Sequence, residues 1–131
     1  MGPGGTERPE RGWDPMSEIE FVSLIRLIQV PEKYHGAKVR VVGFASVEFE
    51  HQALYVSRDD LRHAVTKNAL WLDIPVTEEA KKLDGKCLLV EATFDMESRG
   101  HLGMCSGTLA RATRVEVWSE GRDPRKEPPG S

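Results

Sequence analysis

The sequence predicts a mainly β domain with added helices (α+β), a five-stranded closed barrel of Greek-key type. Three observations predict it. The apolar residues of the chain change from helical spacing to strict alternation at Lys38. The first alternating run is long and carries a glycine, Gly43, near its middle. Four further alternating runs follow, with short helix signals between the second and third and between the third and fourth.

The elements follow in chain order. Ser17-Glu18-Ile19-Glu20 reads as a capping box, and Phe21, Leu24, Ile25 and Ile28 then fall at helical spacing until Pro31 stops the helix. Val22 and Leu27 widen its apolar stripe, as expected of a helix packed on a sheet. Pro31 to Gly36 reads as one turn closed by glycine. From Lys38, Val39, Val41, Ala45, Val47 and Phe49 alternate with polar residues, a strand in which Gly43 predicts a bulge or bend. Ala53–Ser57 is a second strand. Ser57-Arg58-Asp59-Asp60 caps a short helix to about Val65, and Asn68–Ile74 is a third strand. Thr77-Glu78-Glu79 caps another short helix that ends at Asp84-Gly85. Lys86–Asp95 is the fourth strand, and Met96–His101 is a loop. Leu102–Trp118 is the last strand region, expected to be interrupted near Leu109-Ala110. Five strands with a helix between the third and fourth is the order of an OB-fold barrel. An open antiparallel sheet with helices on one face has the same periodicity.

The ends differ from the middle. Residues 1–15 and 119–131 are rich in Pro, Gly and charge, a composition that does not repay the entropy of ordering. The chain is therefore read as an N-terminal tail (1–15, with Trp13), a barrel domain (16–118) and a C-terminal tail (119–131). The net charge of the 131 residues is -3. The tails contribute little of it, because residues 16–118 hold 13 basic and 15 acidic side chains. A domain of that balance lacks the basic field of a protein that coats nucleic acid by charge. No apolar run is long enough to span a membrane, and residues 1–15 lack the apolar stretch of a signal peptide. Cys87 and Cys105 are expected on opposite faces of strands four and five, too far apart for a disulfide. These features together suggest the cytoplasm.

The stretches YHGAKVRVVGF, ALYVSRDD, TKNALWLD and RGHLGMCSG resemble a group of small bacterial proteins over roughly residues 21–118. By pattern the chain is also similar to the nucleic-acid-binding OB superfamily. Neither resemblance implies a catalytic residue, a cofactor or an activity for this chain.

Alternation places the candidate site residues. If Val39, Val41, Leu54, Leu70 and Leu72 point inward, then Arg40, Phe44, Tyr55 and Trp71 share an outer surface, with Lys67 nearby. Aromatic rings beside cations are the equipment for stacking single-stranded bases. The favoured reading is instead that Tyr55 and Trp71 form the floor under the broad apolar stripe of the N-terminal helix. At the loop rim, Glu48, Glu50 and His51 lie on the first hairpin, and Glu97, Arg99 and His101 on the connection before the last strand. Their spacing matches no metal-binding or catalytic motif, so no metal ligands, cofactor or catalytic residues are assigned. The sequence is read as a non-enzymatic binding module, its partner a protein. Single-stranded nucleic acid is the alternative ligand, and an enzyme with a rim site near His51 and His101 ranks last.

Overall fold

The structure, a computed structural model, describes residues 19–48, 51–100, 103–119 and 122–126. A two-residue strand, β1 (Glu20–Phe21), comes first and pairs in parallel with Val39 and Arg40. The helix that follows, α1, spans Leu24–Gln29. Its cap is Ser23, whose hydroxyl accepts from the Arg26 N–H at 3.2 Å. The expected cap at Ser17 lies outside the described residues. Glu20, its expected partner, is in β1, because the edge of the long strand offers its backbone a mate. Leu24 and Leu27 are buried one turn apart, while Ile25 is left exposed. Pro31 opens a second helical turn, α2 (Pro31–Tyr34), and Gly36 leaves it with φ +83°.

The long strand, β2, spans Lys38–Glu48. Besides β1 it serves two longer partners, as its length suggests. Lys38–Phe44 pair with β5 (Cys87–Asp95), and Phe44–Glu48 pair with β3 (His51–Tyr55). Gly43 sits beside the switch without a register shift. A Cβ at Gly43 would lie 2.5 Å from Leu24 Cδ1 and 2.7 Å from Leu54 Cγ. The glycine thus lets α1 and β3 close on the strand, a tighter reason than the bulge the sequence suggests.

Ser57 caps α3 (Arg58–Arg62) by accepting from the Asp60 N–H, and a 3₁₀ turn, Thr66–Asn68, leads into β4 (Ala69–Leu72). Thr77 caps α4 (Glu78–Lys81) in the same way. The last strand, β6, spans Thr108–Val117. The strand order is β1-β2-β3-β4-β6-β5, and β5 returns to β2, so the six-stranded sheet closes in a ring with β1 as an added edge. The pair β4–β6 is parallel and every other pair within the ring is antiparallel. Inside the ring, Val39, Val41, Leu54, Leu70, Leu88, Val90 and Phe94 form one apolar cluster with Leu24 and Leu27 of α1. The N-terminal helix therefore packs into the main core.

The connection into β6 is longer than the sequence suggests. It runs over residues 96–107, and Cys105 lies within it. The interruption of β6 falls just beyond Leu109-Ala110. Glu91 pairs with Arg114 but Thr93 with Ala110, and Arg111 takes φ +50° to absorb the extra residues. Cys87 consequently sits beside Trp118, whose N–H donates to the Cys87 carbonyl at 2.9 Å. No disulfide joins the two cysteines. Beyond β6, the 3₁₀ turn Pro124–Lys126 lies against β2, where Arg40 Nη1 donates to the Pro124 carbonyl at 2.8 Å. That part of the C-terminal segment is docked, contrary to its tail-like composition. No helix among the described residues is long and apolar enough to cross a membrane.

Candidate functional site: a cationic pocket beside a sealed aromatic face

Two regions lie on the outside of the ring. The first is the face of β3 and β4, where Ala53 pairs with Trp71 and Tyr55 with Ala69. Tyr55 does leave the ring on its outer side, as alternation requires. There it joins a second cluster with Ala53, Ala69 and Cys105, packed by Leu61 of α3 and by Trp71. It is only 1% exposed. The cover is Leu61 of α3 with Gly100 and Cys105 of the connection, not the N-terminal helix. Gly100 presses on Trp71 so closely that a Cβ there would lie 2.5 Å from the indole Cε3. Hydrogen bonds tie the connection down, among them Ser106 N–H to the Ala69 carbonyl at 3.0 Å and Trp71 N–H to the Gly107 carbonyl at 2.8 Å. Cys105 N–H donates to the Arg99 carbonyl at 3.0 Å, Ser106 Oγ to the Lys67 carbonyl at 2.7 Å, and Thr108 Oγ1 to the Ser98 carbonyl at 2.7 Å.

Burial sets the chemistry of this region. It pushes the Cys105 thiol up to about 11. Tyr55 is also pushed above its ordinary value, first by burial and then by the charges of Cys105 and Glu48. The Tyr55 hydroxyl and His51 Nε2 are hydrogen-bonded at 2.9 Å, and the half-buried His51 ring meets Trp71 edge-on at 6.4 Å. His51 and Trp71 therefore brace one another, and neither Tyr55 face is open to a base.

Arg40 is on the outer side too, but it is 5% exposed. Its Nε and Nη2 bind Glu91 Oε2 at 2.9 and 2.8 Å, and Arg114 Nη1 joins the same oxygen at 3.0 Å. Its charge is neutralised and its fork occupied, so it is part of the framework and not a contact for a ligand. Lys67 is exposed on the 3₁₀ turn before β4. At the rim, Glu48 is exposed and pairs with His51 across the hairpin, and Arg99 is exposed on the connection. Glu50 and His101 lie outside the described residues. Among the described residues, no three His, Cys, Asp or Glu side chains gather closely enough to hold a metal ion.

The second region is a pocket of about 400 Å³ where β2, β5 and β6 meet the start of α3. Phe44, Arg58, Gly85, Lys86, Cys87, Val117 and Trp118 line it. Of the outer-face residues the sequence singles out, only Phe44 belongs to it. The Arg58 guanidinium lies 4.8 Å from the centre of the Phe44 ring, and the Arg122 guanidinium lies 3.9 Å from that of Trp118. Arg58 and Lys86 are exposed, Phe44 is half-buried, and Val117 is 51% exposed. The sequence does not bring these residues together, because Trp118 reaches Cys87 only once the bulge at Arg111 has shifted the register. The alternation of Arg40, Val42 and Phe44 is the one signal that points toward this side.

No protein-family model, no curated protein and no solved structure matches the chain.

Proposed function

We propose that the chain is a non-enzymatic binding module built on an OB-like barrel, and that its ligand enters the pocket between Phe44 and Trp118. The barrel assignment is supported by the ring order β2-β3-β4-β6-β5, by the parallel third and fifth strands of that ring, and by α4 between its third and fourth strands. The observation that carries the binding role is the pocket itself: two cations and two aromatic rings around one concavity. Such a combination of apolar wall and convergent polar groups is how ligand sites are built. Cys105 is not a candidate nucleophile, because its thiol is buried and pushed up to about 11.

The test is backbone amide chemical-shift mapping with a panel of small organic anions, acidic peptides and single-stranded oligonucleotides. At least one member is expected to shift Phe44, Lys86 and Val117 in a saturable way. Shifts confined to His51, Trp71 and Arg99 across the panel would refute the pocket as the site.

A further inference from the structure

Resting on that reading, we infer that the pocket takes a small anion carrying a flat ring, the chemistry of a nucleoside monophosphate. Charge is the first reason. Among the described residues, no carboxylate lines the pocket, and neither Arg58 nor Lys86 has an acidic partner. Elsewhere on the surface, Arg62 is matched with Asp59, Lys81 with Glu78, Lys82 with Glu79 and Arg125 with Asp123, whereas the exposed Lys67, Arg99 and Arg111 have no acidic partner among the described residues but line no pocket with Arg58 and Lys86. Two uncompensated cations against an apolar wall make a local positive potential on an acidic protein.

Geometry is the second reason. Arg58 lies over the Phe44 ring as an exposed guanidinium whose N–H groups can grip a phosphate fork-wise. Lys86, also in the pocket lining, supplies a second point charge. Trp118 is only 5% exposed and its ring already lies against the Arg122 guanidinium, so it does not receive the base. The half-buried Phe44 and the exposed Val117 present the apolar surface against which the flat ring of a nucleobase can lie.

Size and net charge then choose between a free nucleotide and a strand. The pocket volume of about 400 Å³ falls in the range of small-molecule sites. A long polyanion would instead meet a chain of net charge -3, whose other outer-face cation, Arg40, is already neutralised by Glu91.

Isothermal titration of the full chain with AMP, adenosine, inorganic phosphate, an oligo(dT) and an acidic peptide tests this. AMP is expected to bind saturably, with adenosine and inorganic phosphate each weaker by roughly tenfold or more, since each lacks half of the contacts. Lys86→Glu is expected to weaken AMP by at least the same factor with an unchanged melting temperature. Phe44→Leu is expected to narrow the gap between AMP and phosphate. No AMP binding, or AMP binding indifferent to Lys86→Glu, overturns the inference. If AMP fails but the acidic peptide binds and loses affinity in Lys86→Glu, the binding-module reading stands and only the ligand class falls. If the oligo(dT) binds more tightly than AMP through the same pocket, the ligand is a strand and the inference is again overturned.

Discussion

The β3–β4 face and the β2–β5–β6 pocket are both outer surfaces of one ring, and both are aromatic, yet on the first the Tyr55 ring is sealed and on the second two cations stand open to solvent. On the sealed face, Tyr55 is packed by Leu61, Cys105 and the half-buried Trp71, Gly100 presses on the indole, and the Tyr55 hydroxyl finds its partner in His51. In the pocket, Phe44 and Trp118 are touched by guanidinium groups, and two cations face solvent. Strand alternation determines which side a residue leaves the sheet. It does not determine what lies on top. That is decided by connections whose course depends on contacts far apart in sequence.

The contrast can be broken or sharpened by substitution, and the largest effect is expected beneath the open side. Arg40→Met leaves Glu91 buried with Arg114 as its remaining partner among those described. It is expected to cost about 3 kcal/mol in urea unfolding, because a buried carboxylate loses its best-placed counter-charge. A loss near zero would mean that the network does not hold β2 to β5. Gly100→Val should cost about 2 kcal/mol, since φ is +79° there and a Cβ meets the indole. It should also unseal the other face, seen as a red shift and stronger acrylamide quenching of Trp71 fluorescence. Unchanged quenching would show that the connection is not the cover.

Smaller effects concern the chemistry under that cover. Tyr55→Phe removes the hydroxyl partner of His51 and is expected to cost about 1 kcal/mol. The pH dependence follows from Cys105 and Tyr55, both raised in the folded state. The protonated forms favour the fold, so their contribution is full below the unfolded value of the thiol near 9. It is lost as the pH rises toward about 11. Thermal melts should therefore fall between pH 9 and 11, and Cys105→Ala should flatten part of that decline. A steeper decline in Cys105→Ala would contradict the assignment. Smallest of all, Lys86→Glu should change stability by no more than about 0.5 kcal/mol, as an exposed side chain without an acidic partner among the described residues.

Much of the framework was legible in the residues. The order of strands and short helices, the caps at Ser57 and Thr77, and the outward direction of Arg40, Phe44, Tyr55 and Trp71 are local signals, and the structure places them accordingly. The first helix cap was misplaced because Ser17 and Ser23 both offer a hydroxyl. Only pairing of Glu20–Phe21 with β2, a long-range event, selects the second. The candidate site was legible only at Phe44. Arg40 reads as a free cation until Glu91, distant in sequence, is placed against it. Trp118 and Lys86 become neighbours only through the bulge at Arg111, which no local pattern locates to the residue.

The central claim is that ligand binds at the open pocket and not at the sealed face, and the tryptophans report on it directly. With Trp13 replaced by Phe, two single-tryptophan chains, Trp71→Phe and Trp118→Phe, separate the two regions. Titration with AMP is expected to change the emission of the chain that keeps Trp118 and to leave that of the chain that keeps Trp71 unchanged. A response carried by Trp71 alone would contradict the account.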